Sequence, residues 1–89
     1  MKPLANAVSL STANDCYNAT AVYVTSSNND VTLTLANTAI NTGGGLHGSY
    51  AGGSVLIKLP ANSGTIIEKR PLDTLTGSGL WGTKIGLGD

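Results

Sequence analysis

The residues with the most reactive side chains in this chain are a single histidine, His47, and a single cysteine, Cys16. A general base needs a partner that orients it, and a zinc ion needs three or four ligands at suitable spacing. Cys16 belongs to no C-x-x-C pattern, and no Asp or Glu lies near His47 in the sequence. The sequence therefore predicts no catalytic site, no metal site and no cofactor, and we expect a protein that is not an enzyme.

Residues 43–48 read Gly-Gly-Gly-Leu-His-Gly and match the G-x-G-x-x-G pattern of dinucleotide-binding loops. That pattern binds pyrophosphate only where the loop leads from a strand into a helix, because the helix N-terminus supplies the N–H donors. The following residues, 49–53, are Ser-Tyr-Ala-Gly-Gly and favour another loop. We expect a glycine-rich connection over residues 37–53 and no nucleotide site.

Residues 68–73, Glu-Lys-Arg-Pro-Leu-Asp, form the most distinctive stretch of the chain and have two interpretations. In the first, Pro71 ends a strand by withdrawing a donor, and Asp73 closes a turn by accepting from the local backbone. In the second, charged side chains form a polar rim that meets another chain: Glu68, Lys69 and Arg70.

Aromatic residues are scarce, with one Trp, three Tyr and no Phe. In a core without Phe, a lone Trp is commonly the large packing unit. Trp and Tyr are also the residues that dominate contacts between proteins. Trp81 is therefore either a core residue or an interface anchor, and Tyr50 is a second candidate anchor.

Charge and cysteine content restrict the partners and the compartment. Five Lys and Arg balance five Asp and Glu, so no basic surface is available to attract phosphates or anionic lipid. We expect neither nucleic acid nor membrane as a partner. One cysteine cannot form an intramolecular disulfide, and residues 4–10 are too polar for the apolar part of a signal peptide, so we expect synthesis in a reducing compartment.

Ser, Thr, Asn and Gly supply 39 of the 89 residues, which favours strands and turns over helices. Residues 31–35, Val-Thr-Leu-Thr-Leu, alternate with a period of two and predict a strand with one buried face. Turn residues at 26–30 and at 60–64 predict two hairpins, over residues 20–36 and 54–69. We predict one all-β domain over residues 1–89, a small antiparallel β-sandwich or a partly open barrel of about five to seven strands. Residues 1–12 would be an N-terminal arm or an edge strand.

Residues 53–75, together with the Val-Tyr-Val-Thr of residues 22–25, resemble small virion structural proteins of tailed bacteriophages. In that family a Tyr-Val-Thr strand, a Pro-Gly connection and a strand end of the form Glu-Lys-x-Pro-x-Asp-Thr recur in chains of this size. The resemblance implies a β-rich structural subunit of a phage particle, with capsid decoration as the first expectation. Placement in the neck, tail or fibre stays open.

The resemblance implies partners and a location as well as a fold. A decoration protein stabilises the shell in many copies, so the expected partners are a second copy of this chain and a major capsid or other virion protein. The expected location is the virion, after synthesis in the host cytoplasm. The alternative from another class is a carbohydrate- or receptor-binding β-domain, in which Asn, Trp and Tyr line a shallow site.

Overall fold

The computed structural model describes residues 1–37 and 53–86, and over these ranges the chain is all-β. It forms eight strands there: β1 (Lys2–Pro3), β2 (Val8–Ser9), β3 (Ala21–Thr25), β4 (Val31–Asn37), β5 (Gly53–Leu59), β6 (Gly64–Glu68), β7 (Thr74–Thr76) and β8 (Trp81–Gly86). One sheet has the order β1-β8-β3-β6, with β2 also paired to β8, and the other has the order β5-β4-β7. The predicted small antiparallel β-sandwich is confirmed. Tyr50, His47 and the motif at 43–48 lie outside the described residues.

Strand β4 has the two faces that its alternating sequence predicts. Leu33 and Leu35 are buried, and Thr32 on the other face is exposed. Burying one such leucine stabilises the fold by about 1.5 to 3 kcal/mol. Inward side chains of both sheets and buried residues of the connecting segments meet in a single core, which is made of Leu10, Cys16, Ala19, Val22, Val24, Leu33, Leu35, Leu59, Leu75 and Leu80.

The two predicted hairpins are wrong, because each of the two turn regions connects one sheet to the other. Strand β3 pairs with β6 and β8, whereas β4 pairs with β5 and β7. Residues 21–37 therefore pair with residues 53–68 as one long ribbon that bends over the core. The bend lets the apolar sides of β3 and β4 face each other across the sandwich, which a flat hairpin would prevent.

The bend is held by hydrogen bonds between the two crossing segments, residues 26–30 and 60–63. The Ser26 hydroxyl donates to the Pro60 carbonyl at 2.7 Å and accepts from the Ser63 amide at 3.0 Å. The Asp30 carboxylate accepts from the Ala61 amide at 2.9 Å. The polar residues that predicted two separate turns thus bind these two turns to each other.

The N-terminal segment is a broken edge strand rather than a free arm. Both β1 and β2 pair with β8, and Pro3 lies opposite Ile85. Beyond β2, Leu10 is buried in the core, and its amide donates to the Leu80 carbonyl at 2.9 Å. The segment is therefore part of the folded domain up to Leu10.

Candidate functional site

Two regions contain the residues that the sequence selects: a buried corner around Lys69 and the outward face of the five-stranded sheet around Trp81. We call the first the lysine corner, meaning Lys69 with the turns at residues 15–19 and 70–73. We call the second the aromatic face, meaning the outward side chains of five residues: Tyr23, Thr25, Ile66, Trp81 and Thr83. The lysine corner is built from two chain segments that lie 50 residues apart, and the aromatic face from three neighbouring strands.

Lys69 lies inside the protein with only 1% of its surface exposed. Lys69 comes directly after strand β6, and its side chain points into the protein, as that of Ile67 does. Its amide donates to the Thr20 carbonyl at 3.0 Å. The ammonium group donates to three main-chain carbonyls, of Ala19 at 2.8 Å and of Arg70 and Pro71 at 3.2 Å each. Three acceptors match the three N–H bonds of an ammonium, and this compensates for its loss of water.

The expectation of an exposed rim of three charged residues is therefore wrong for Lys69. Arg70 is only partly exposed, and both its amide and its Nε donate to the Asp73 carboxylate at 3.2 Å. Asp73 itself is buried and closes the turn, as the first interpretation of this stretch predicts. Of the predicted rim, Glu68 alone is exposed. Lys69 is buried whereas Glu68 is exposed, because the turn carbonyls accept hydrogen bonds from the Lys69 ammonium group inside the protein.

The opposite wall of the lysine corner is a left-handed turn formed without glycine. Cys16, Tyr17 and Asn18 have φ angles of 56°, 59° and 57°. Each such residue costs about 1 to 2 kcal/mol, less for asparagine. The Asn14 side chain accepts from the Cys16 amide at 2.7 Å, and the turn directs the Ala19 carbonyl toward Lys69. The strained turn and the buried lysine therefore support each other.

Burial controls the ionisation of both reactive groups in the lysine corner. It lowers the pKa of the Lys69 ammonium below its ordinary 10.5, and the charges of Cys16 and Asp15 oppose that shift. It raises the pKa of the Cys16 thiol above its ordinary 9.0, against the opposing effect of the Lys69 charge. A lysine with a lowered pKa is a candidate nucleophile. Here its N–H bonds are already used by the backbone, so the arrangement favours a structural role.

The aromatic face has the opposite character, because large apolar side chains lie outside. Trp81 is 51% exposed and Ile66 is 42% exposed. Trp81 pairs with Thr25, and Ile66 pairs with Tyr23, so all four side chains project from the same outward surface. Trp81 is therefore not the packing unit of the core.

Gly64 makes room for the Tyr23 side chain on this face. A Cβ atom at Gly64 would overlap the hydroxyl end of Tyr23, so the ring lies across the position where a larger residue would project. Glycine at this site thus allows the tyrosine to lie flat along the sheet surface. Gly64 belongs to the predicted turn, but its contact with Tyr23 is not visible in the sequence.

A groove continues the aromatic face toward the start of β3. Its floor is Ala21 and Ile85, which are both buried, and Glu68 lies beside them as the partner of Ala21. The structure thus brings Glu68 and Trp81 onto one face and directs Lys69 away from it. Sequence reasoning missed Tyr23 and Ile66: alternation along β3 favours an outward Tyr23 between Val22 and Val24, whereas the adjacent isoleucines of β6 leave its outward face undetermined.

Among residues 1–37 and 53–86, no three His, Cys, Asp or Glu side chains are grouped so that they could hold a metal ion. In the same ranges, no helix has the length and apolar character needed to cross a membrane. No protein-family model matches the chain, and no curated protein or solved structure matches it either.

Proposed function

We propose that this chain is a non-catalytic structural subunit of a bacteriophage virion, and that it docks in many copies on the shell as a capsid decoration protein. The observation that carries the proposal is the aromatic face, where Trp81 and Ile66 are exposed on a regular sheet surface. Half-exposed Trp beside Thr and Tyr has the composition of a protein contact, with an apolar centre and polar surroundings. The resemblance of residues 53–75 to virion proteins supplies the setting.

The balance of charges supports docking through complementary shape rather than through electrostatic attraction. Five positive and five negative side chains give no net charge, so the chain has no long-range attraction to a charged surface. Threonine hydroxyls beside Trp81 offer donors and acceptors for a hydrated interface. Affinity on a shell would then come from repeated copies, each with a modest contact.

The test uses particles of the virus that encodes the chain, stripped of this protein. Purified chain is added back, and the copies bound per particle are counted. Decoration predicts saturation at a number related to the shell symmetry. A few copies confined to one vertex would reject decoration in favour of a neck, tail or fibre role.

A matched pair of variants tests the face itself. Trp81→Ser should reduce the copies bound at a fixed concentration by at least tenfold, because central aromatic anchors contribute about 2 kcal/mol or more. Leu72→Ser is the control, since Leu72 is 70% exposed on the turn after β6 and lies off the aromatic face. Equal binding by the two variants would contradict docking through Trp81.

A carbohydrate-binding role is the second candidate, and the exposed indole beside threonine hydroxyls favours it. Sugars stack on exposed aromatic rings and take hydrogen bonds from nearby hydroxyls. A glycan array separates the two functions, since decoration predicts no selective binder. A selective glycan signal that Trp81→Ser abolishes would establish the second function in place of the first.

A further inference from the structure

The two sides of the sandwich differ in how their edge strands are protected. On one side, β1 and β2 have two residues each, and β1 contains Pro3. On the same side Asn14 covers β7 by exchanging two backbone hydrogen bonds with Leu75, at 2.9 and 3.1 Å. Short strands, proline and covering segments are the ordinary protections against pairing with another chain.

On the other side of the sandwich, the edge strand β5 is longer, contains no proline and has no covering segment among the described residues. Strand β5 has seven residues and ends the order of its sheet, and no described strand pairs with its second edge. Such an edge presents main-chain N–H and C=O groups that a further strand would satisfy. Strand β6 also ends its sheet, but it has five residues. The longest unprotected edge in the described part of the chain is thus β5.

The side chains of β5 give this edge an apolar centre. Leu56 is 64% exposed and pairs with Thr34 on the outward surface of the three-stranded sheet. The register and burial give that surface eight described residues: Thr32, Thr34, Ala36, Ser54, Leu56, Lys58, Thr74 and Thr76. Leu56 is the one large apolar residue among them. Packing among the described residues does not account for its exposed position.

We propose that β5 pairs antiparallel with β5 of a second copy of this chain, about a two-fold axis at Leu56. In this register Leu56 meets its own counterpart, and Val55 lies opposite Ile57 of the second copy. The two three-stranded sheets then become one six-stranded sheet. A two-fold contact closes on itself and gives a dimer rather than a fibre.

The charges of β5 favour a second copy in this register. Lys58 is the only charged residue of β5, and two-fold pairing at Leu56 places it opposite Ser54 of the other copy. Pairing centred on Lys58 would instead oppose two like charges, which destabilises cross-strand pairs. Self-pairing at Leu56 therefore joins the apolar centres and keeps the two lysines apart.

This inference deepens the proposed function, since it names the surface through which copies of the subunit associate. Its test needs only purified chain, so its failure is separable from that of the proposed function. Sedimentation equilibrium should show a species of twice the 9.0 kDa chain mass. A chain that stays monomeric up to about 1 mM would overturn the proposed dimer, because any association would then be very weak. That result would not decide whether the chain binds to the particle.

Two substitutions at Ser54 test the register with opposite expected signs. In the dimer, residue 54 of each copy lies opposite Lys58 of the other copy, so each substitution acts twice. Ser54→Glu would place an opposite charge against Lys58, whereas Ser54→Lys would place a like charge there. Because each cross-strand charge pair contributes a few tenths of a kcal/mol or more, we expect dissociation constants about fivefold lower and about fivefold higher, respectively. Ser54 is exposed, so both variants should fold. Shifts in the same direction, or no shift, would overturn the proposed pairing.

A second pair of variants tests the centre of the contact. Leu56→Lys places two like charges against each other at the axis and should abolish the dimer. Thr34→Lys adds the same charge on the same outward surface but on the central strand β4, so its dimer should persist. Loss of the dimer in both variants, or in neither, would contradict an axis at Leu56.

Discussion

The lysine corner and the aromatic face reverse the usual distribution of charge and apolar surface. In the corner, a lysine is 1% exposed and a carboxylate is buried beside it, whereas on the face a tryptophan is 51% exposed. The corner is complete within the chain, because the three ammonium N–H bonds have three carbonyl acceptors. The aromatic face has no comparable partner among the described residues. The difference separates a region that stabilises the fold from a region that is available for contact.

The largest expected effect on the free energy of unfolding tests whether the lysine corner tolerates a buried charge because it supplies carbonyl acceptors. Leu33 points inward like Lys69, but it packs among apolar residues of the core. Leu33→Lys should lower the free energy of unfolding by about 4 kcal/mol or more, because a buried unpaired charge is among the costliest substitutions. Urea denaturation measures the change. Thr34→Lys, one residue along and on the outward face, should cost under about 0.5 kcal/mol.

The next effect tests the three carbonyls directly. Lys69→Met keeps the length and the apolar stem but leaves the Ala19 carbonyl without its donor, and we expect a loss of about 2 kcal/mol in unfolding free energy. Lys84→Met is the matched control, because the Lys84 ammonium donates to a single exposed carbonyl, that of Tyr17, at 3.1 Å. It should cost under about 0.5 kcal/mol. Equal stability of the two variants would mean that the corner does not depend on Lys69.

Substitution on the aromatic face should lower stability much less than substitution in the lysine corner. Trp81→Ala removes an indole that is half in solvent, so we expect the free energy of unfolding to fall by less than about 1 kcal/mol. Thermal unfolding by circular dichroism measures this change. A loss as large as that of Lys69→Met would show that Trp81 belongs to the packed interior, and it would remove the contrast between the two regions.

The smallest effect concerns alkaline pH. The folded protein holds the Cys16 proton more tightly than the unfolded chain does, because burial raises the pKa of this thiol above 9.0. The unfolded state therefore gains stability by ionising as the pH rises above 9, and the folded protein loses stability there. Lys69 contributes with the opposite sign, because its folded pKa is lowered and the unfolded chain binds the extra proton below 10.5.

Comparison of the wild type with Cys16→Ala isolates the thiol, since both proteins retain Lys69. The alanine variant is expected to be the less stable protein at pH 7, because it loses buried packing. The stability gap between the two should narrow between pH 8 and pH 10.5. A constant or widening gap across that range would contradict a raised Cys16 pKa.

The sequence predicts the strands better than it predicts their connections. Alternation along residues 31–35 correctly assigns Leu33 to the core, because the period of a strand is a local property. The turn residues at 26–30 and 60–64 predict hairpin loops, because turn residues look alike whether the next strand pairs with the previous one or crosses to the other sheet. Contacts such as Ser26 with Pro60 and Ser63 decide between these outcomes, and they join segments far apart in sequence.

The site was only partly predictable for the same reason. Lys69 points inward as Ile67 does, but Ile66 and Ile67 are both apolar, so the sequence does not show which face of β6 is inward, and it does not show the Ala19 carbonyl that accepts from Lys69. Without a visible acceptor, a charged residue is expected in solvent. Trp81 had two interpretations, because burial of a lone tryptophan depends on its strand register. Pairing with Thr25 places it on the outward face.

Hydroxyl-radical footprinting of the free and the particle-bound chain tests the central claim most directly, because it measures exposure of the aromatic face without any substitution. In the free chain Trp81 and Tyr17 should both be oxidised readily, since they are 51% and 56% exposed. On stripped particles to which the chain has been returned, we expect strong protection of Trp81 and continued oxidation of Tyr17, which lies on the lysine corner. Equal oxidation of Trp81 in the free and bound states would contradict docking through the aromatic face.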